Sequence, residues 1–247
     1  MMQKYFENEE LIVLEGLHAI KHAYRFKSEF AKIYTCDFKS VLDLAKKLAP
    51  DLVSFLKSEA EQVSKDEFKK FFPKNYHGEI VAFAKKKQNS ASEGHGLACT
   101  LVWLENPKLL SNLGASIRVL AARGVKNLMV SGENSQQVWH KDTLRASAGL
   151  HFALDNIFTL KGSKEAFVFL KSANYKIFAL DANGEEIKLA EEFESQSAFV
   201  FGSERHGVSD FTKEKADKIL SLPMQEGVSS LNLATSVAAT LYRVELN

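Results

Sequence analysis

The chain has 247 residues, 45% of them hydrophobic and 26% charged, with a net charge of only +1. That composition calls for a packed globular protein of one large domain or two modest ones, and it excludes a nucleic-acid binder acting through an overall basic field. No apolar run reaches the ~20 residues needed to cross a bilayer.

The opening MMQKYFENEELIV lacks a basic segment followed by an apolar core, so no signal peptide is expected. Leu14–Ile20 leads into a helix, and Lys32–Cys36 reads as a short strand. Val41, Leu42, Leu44, Ala45 and Leu48 fit one helical face that ends near Pro50. A second helix is expected over Leu52–Ser58. Ser64 with Glu67 three positions on forms a capping box for a third. Ile80–Ala84 is a strand. His18 and His77 are read as capping or packing residues, because nothing places a catalytic partner near them.

Lys85–Gly96 is polar, contains Gly and Ser and lacks periodicity, which marks a solvated linker. It separates a domain over residues 1–88 from one over residues 89–247. The first holds 16 Lys+Arg against 13 Asp+Glu, the second 16 against 18. Any surface for nucleic acid must therefore be local. Arg25 is the single arginine of the first part; Arg118, Arg123, Arg145, Arg205 and Arg243 lie in the second. Arginine's planar fork suits phosphate.

From Leu97 onward strands and helices alternate. Strands are expected at Leu97–Leu104, Lys126–Val130, Ile157–Leu160, Lys176–Leu180, Ser197–Phe201 and Ile219–Leu222. Helices are expected at Asn112–Ala122, Val138–Ala148 and Glu165–Ser172. A last helix is capped by Ser229 or Ser230, with Leu231, Ala234, Ala238 and Leu241 at helical spacing. This order predicts an α/β fold with a mainly parallel sheet. Neither G-x-G-x-x-G nor a Walker sequence is present, which disfavours a standard dinucleotide fold or a P-loop enzyme. Cys36 and Cys99 stand 63 positions apart with no His pair nearby, so no metal site is expected, and two lone cysteines suit a reducing cytoplasm.

Three segments carry chemistry. Phe199–Phe201 runs into Gly202-Ser203-Glu204-Arg205-His206-Gly207; Ile219–Leu222 runs into Pro223-Met224 and, after a loop, Ser230-Leu231-Asn232; Glu105-Asn106-Pro107 precedes Asn112-Leu113-Gly114-Ala115-Ser116-Ile117-Arg118. Two strand ends that spill glycine and polar residues are where parallel sheets bind ligands. In this order, the three segments resemble the motifs of the SpoU (TrmH-like) RNA ribose methyltransferases of the SPOUT class. The start around His18 and the His77–Ala82 segment resemble, more loosely, the RNA substrate-binding domain often attached to such enzymes.

The resemblance implies S-adenosylmethionine as cofactor, the ribose 2′-hydroxyl of RNA as acceptor, a deep trefoil knot in the catalytic domain, and a homodimer. Knots are rare exceptions to ordinary threading. Carried over by residue, Phe201, Gly202, Leu222, Met224, Ser230 and Leu231 would line the cofactor pocket. Arg118 would act on the 2′-hydroxyl, and Asn112, Glu204 and Asn232 would orient it. Arg145, in Arg-Ala-Ser-Ala-Gly, fits either a place near the pocket or a structural ion pair, and His206 fits a place beside RNA. Ribosomal RNA is the expected substrate. The alternatives are transfer RNA, or a non-catalytic RNA-binding assembly factor on the same fold.

Overall fold

The computed structural model describes residues 2–72, 78–87, 89 and 99–246. His77, most of the linker expected at Lys85–Gly96, and the first two residues of the strand expected from Leu97 lie outside them. The chain divides into two compact units, Met1–Lys87 with Ala148–Phe152 and Gln88–Ser147 with Ala153–Asn247.

The first unit is built from α1 (Gln3–Phe6), β1 (Leu11–Glu15), α2 (Gly16–Arg25), β2 (Phe30–Thr35), α3 (Phe38–Leu48), α4 (Val53–Glu59), β3 (Ala60–Gln62), α5 (Lys65–Lys69) and β4 (Ile80–Lys85). Its sheet has the order β1-β4-β2-β3. Strand β4 runs antiparallel to both neighbours, and β3 pairs parallel to β2. The helix to which Leu14–Ile20 leads begins at Gly16; Leu14 and Glu15 still belong to β1, and Gly16, at φ +81, breaks the extended run. The Ser64 hydroxyl accepts from Glu67 N–H at 3.1 Å, as the capping box requires. His18 packs edge-on to His22 with ring centres 4.7 Å apart.

The second unit contains β5 (Leu101–Glu105), α6 (Leu110–Arg123), β6 (Asn127–Ser131), α7 (Lys141–Ser147), β7 (Asn156–Leu160), α8 (Ser163–Ser172), β8 (Lys176–Glu186), β9 (Glu191–Glu192), β10 (Ser197–Phe201), α9 (Asp210–Lys215), β11 (Lys218–Ser221), α10 (Leu233–Arg243) and β12 (Val244–Glu245). Six strands form one sheet in the order β11-β8-β10-β5-β6-β7, and every pairing in it is parallel. Side chains alternate between its faces with the period of two that strands impose. Val102, Leu104, Leu128, Val130, Phe199 and Phe201 enter one core, with Leu113, Ile117 and Leu120 of α6 and Leu233, Val237 and Leu241 of α10. Leu101, Trp103, Met129, Ala198 and Val200 enter the other, with Ala166 and Leu170 of α8. Both faces are therefore covered, which is why these strands read as unbroken apolar runs.

The chain leaves β5 toward β6 and β7, then returns to β8 and β10 on the opposite side. The strand order thus reverses at the β5–β10 pair, the place where open α/β sheets bind ligands beyond their carboxyl ends. The helix expected over Val138–Ala148 is divided. Ser135–Trp139 is a 3-10 turn, and α7 begins at Lys141, where the His140 ring nitrogen meets Asp142 N–H at 3.2 Å. Among the described residues no helix is long and apolar enough to cross a membrane.

Helix α6 lies close on α7 through Gly114. A Cβ there would stand 2.4 Å from the Thr143 carbonyl oxygen and 2.6 Å from Ala146 Cβ. Gly114→Ala is expected to cost about 1–3 kcal/mol by overpacking, read as a lower urea midpoint at unchanged slope. The fluorescence of Trp103 and Trp139, the chain's two tryptophans, reports on this unit alone. An unchanged midpoint would refute the close-packing account.

Candidate functional site

Three neighbouring strands, β11, β8 and β10, end on one rim. Beyond β10 the chain closes a tight ring. Ser203 N–H donates to the Gly207 carbonyl at 3.0 Å, and Gly207 N–H returns the bond at 2.9 Å. A Cβ on Gly202 would lie 1.8 Å from the Gly207 carbonyl carbon, and Gly207 sits at φ +66. Gly202 is therefore dictated by backbone approach and Gly207 by its left-handed conformation. On β8 the ladder with β11 breaks: Ile219 faces Ala179, but Leu220 faces Glu185. The intervening Leu180–Gly184 bulges out of register.

The bulge, the ring and the loop after β11 enclose a cleft of about 430 Å³, within the range of small-molecule sites. Leu180, Leu220, Leu222, Met224, Leu231 and Leu233 supply apolar wall; Asp181, Asn183, Ser229, Ser230 and Ser236 supply polar groups. Phe201, Gly202, Leu222, Met224, Ser230 and Leu231, expected from sequence as cofactor residues, all line this cleft. Asp181, Ala182, Asn183, Ser229 and Ser236 line it too and were missed. The signal for the first three was the turn-forming run Asp181-Ala182-Asn183-Gly184, which interrupts an otherwise apolar strand. Lys213 first, then the Asn183 N–H, hold the Asp181 carboxyl below the usual carboxylate range.

Glu204 leaves the ring and crosses to the loop before α6. One carboxylate oxygen accepts from Lys108 N–H at 2.9 Å; the other accepts from Leu109 N–H at 3.1 Å and from the Asn112 amide at 2.7 Å. Burial alone would raise this carboxyl, but the three donors outweigh it and leave the group below its ordinary value. The Asn232 amide in turn donates to Asn112 Oδ1 at 3.0 Å. Asn112, Glu204 and Asn232 thus form one hydrogen-bonded chain across residues far apart in sequence.

Two expectations about helix starts are corrected here. The helix expected from Asn112 begins at Leu110 instead, Leu109 makes no side-chain cap, and Glu204 takes up free N–H groups ahead of the helix. The final helix is capped by Asn232 rather than Ser229 or Ser230, with Ala234 N–H at 3.0 Å from Asn232 Oδ1. The buried stripe of α10 is accordingly Leu233, Val237, Thr240 and Leu241, which leaves Leu231 free to line the cleft.

Arg118 lies apart from this chain of three. Six residues beyond Asn112, it points roughly 240° round the helix, is exposed, and does not line the cleft. The other arginines divide cleanly. Arg123 donates to the carbonyls of Leu241 and Val244, Arg243 donates to that of Ile187, and Arg145 pairs with Asp142 at 3.3 Å. Arg118 and Arg205 make no hydrogen bond or ion pair among the described residues, and Arg205 stands in the cleft wall. His206 is exposed and outside the lining. No three His, Cys, Asp or Glu side chains gather as a metal set among the described residues. The arrangement can seat a small ligand with one apolar and one polar end, and it can hold a fixed set of amides beside it.

Residues 100–242 match the SpoU rRNA Methylase family. The 23S rRNA (adenosine(1067)-2′-O)-methyltransferase of Streptomyces azureus is 29% identical over 149 residues, covering 60% of this chain and 55% of the relative. The chain thus spans about half the length of that relative. A Staphylococcus saprophyticus protein, provisionally assigned as a TrmH family tRNA/rRNA methyltransferase, is 26% identical over 246 residues, 95% of each chain. The crystal structure of the SpoU methyltransferase AviRb from Streptomyces viridochromogenes, solved with AdoMet, superposes with a TM-score of 0.74 over 98% of this chain and 94% of that one. At 19% identity that last likeness is one of fold.

A lowered Glu204 carboxyl contributes stability that is full above the ordinary glutamate value, about 4.3, and is lost as pH falls through its lower folded value. The amide resonances of Lys108 and Leu109 should therefore titrate together with a midpoint below the ordinary glutamate value. A midpoint at or above that value would show that the three donors do not hold the carboxylate.

Proposed function

The chain belongs to the SpoU rRNA methylase family, and from that membership we propose that it transfers a methyl group from S-adenosylmethionine to a ribose 2′-hydroxyl of structured RNA, ribosomal RNA ahead of transfer RNA. The observation that carries the proposal is the cleft at the ends of β8, β10 and β11 with the Asn112–Glu204–Asn232 chain bonded beside it.

The lining fits the cofactor. Leu180, Leu222 and Leu231 offer an apolar slot for adenine, while Ser229, Ser230, Asp181 and Asn183 offer polar anchors to ribose and amino-acid groups. When bound, S-adenosylmethionine supplies a methyl group on a positively charged sulfur. The ribose oxygen forms the new C–O bond as the C–S bond breaks, the thioether leaves neutral, and the hydroxyl proton passes to a phosphate or carboxylate. Glu204 already receives three N–H donors, so its part is to fix the loop and the Asn112 amide rather than to take that proton. Arg118 stays charged. Its fork stabilises the developing oxyanion and holds the neighbouring phosphate. Arg205, in the cleft wall and without a partner among the described residues, adds a second positive group on the RNA side.

Exposed Leu109, Val228 and Leu231 beside this site suit coverage by a second copy, so the working form is a homodimer in which the outward Arg118 meets RNA at the seam. The trefoil knot of the family is extended to the C-terminal domain, residues 89–247. Residues 1–88, net positive, select the RNA, and the protein works in the cytoplasm.

Two measurements test this. Calorimetry in excess EDTA should show S-adenosylmethionine binding, and labelled cofactor with total RNA should yield 2′-O-methylated nucleosides. Arg118→Ala should abolish transfer while cofactor affinity stays within a few-fold, and Arg118→Lys should also fail because lysine lacks the planar fork. Near-normal turnover of the lysine variant would sink the geometric role given to Arg118.

A further inference from the structure

We propose that Glu105 is a positioning residue for the cleft, the counterpart of Glu204 in a reciprocal pair of carboxylates that lock the ends of β5 and β10 to each other's loops. Glu105 is the last residue of β5 and only 3% exposed. One oxygen accepts from Ser209 N–H at 2.8 Å; the other accepts from the Ser209 hydroxyl at 2.8 Å and the Thr212 hydroxyl at 2.7 Å. It pairs with no cation among the described residues. Three donors and no counter-ion make a fixed anchor: every bond has one geometry, and none can be traded for water without opening the core.

The two carboxylates run in opposite directions between adjacent strands. Leu104 is paired with Phe201, so Glu105 and Gly202 stand level at the rim. Glu204 reaches from the β10 loop to the backbone before α6, while Glu105 reaches from the β5 end to Ser209, where the β10 loop closes. The loop from Gly202 to Ser209 is therefore held by β10 at its start, by Glu105 at its finish, and by its own Ser203–Gly207 ring between. Glu204 hangs from that loop. Without Glu105 the finish is free, and the Glu204 carboxylate loses the fixed origin from which it grips Lys108, Leu109 and Asn112.

Simple helix capping does not account for this arrangement. The Ser209 hydroxyl already accepts from Thr212 N–H at 3.2 Å, which caps the six-residue α9 by itself. A buried carboxylate is a costly way to cap a helix already capped, but it is a suitable way to hold a loop at one distance from a strand end.

The inference deepens the methyl-transfer reading and rests on it for its kinetic consequence; its structural consequence can be read without turnover. In the full chain, Glu105→Gln should move the titration midpoint of the Lys108 and Leu109 amides upward, toward the ordinary glutamate value. An α9 cap alone would leave that midpoint where it is. With RNA substrate, Glu105→Gln should lower kcat by about tenfold or more, in line with the loss of a supporting hydrogen-bond partner, while the cofactor KM shifts far less. Added to Glu204→Gln, it should cost little more, because both changes break one device. Thr212→Val, which removes one hydroxyl donor to Glu105 and leaves both Ser209 contacts to the carboxylate and the Ser209 cap of α9 in place, should move the midpoint in the same direction and carries the test if Glu105→Gln does not fold. An unmoved midpoint in the folded variants, or kinetic losses that simply multiply, overturns the proposal. If the unaltered chain methylates no RNA, the enzymatic reading falls, and the amide titration still decides for or against Glu105.

Discussion

The β5–β10 pairing is the constraint from which the rest of the second unit follows. These strands are neighbours where the strand order reverses, and both send their loops off the same rim. The segment entering α6 therefore arrives with N–H groups that neither strand nor helix satisfies. Left open at the head of the helix, such groups are satisfied by a capping acceptor, and the Glu204 carboxylate is it. The same carboxylate draws in the Asn112 amide, and Asn112 draws in Asn232 at the head of α10. The spacing between three chain segments thus comes down to the reach of one glutamate and two asparagines.

The position of α10 rests on a second use of polar groups. Arg123, in the last turn of α6, caps the carbonyls of Leu241 and Val244, and Arg243 caps that of Ile187. Cations at a helix C-terminus satisfy carbonyls that the helix itself leaves open. These guanidinium groups are committed to folding. The arginine bias of the second half does not translate into five phosphate contacts; Arg118 and Arg205 are the two left without partners among the described residues.

The cleft owes its shape to an irregularity. Had β8 kept register with β11, Leu180–Gly184 would have stayed in the ladder, and no wall would stand opposite the ring of Gly202–Gly207. Gly184 is the residue that permits the return. A Cβ there would lie 2.5 Å from the Leu220 backbone. The bulge brings Asp181 and Asn183 to the cleft, and Lys213 keeps the Asp181 carboxyl turned to a cation rather than to the core.

Sequence alone determined the strands of the parallel sheet, most of the helices between them, though not α9 or the break before α7, and the three loops that would carry chemistry. Apolar periodicity and glycine punctuation are sums over near neighbours, so they survive without a tertiary structure. The cleft residues Phe201, Gly202, Leu222, Met224, Ser230 and Leu231 were named through the motif resemblance; periodicity and punctuation marked only the strand ends and loops in which they lie. What the tertiary structure decided is which groups meet. Asn112 bonds Glu204 across 92 positions, and Glu105 bonds Ser209 across 104. Nothing local distinguishes those side chains from a helix cap or a solvated strand end. The register break that forms the cleft wall, the committed arginines and the outward direction of Arg118 were hidden for the same reason: each depends on distances set only when β5, β8, β10 and β11 lie side by side.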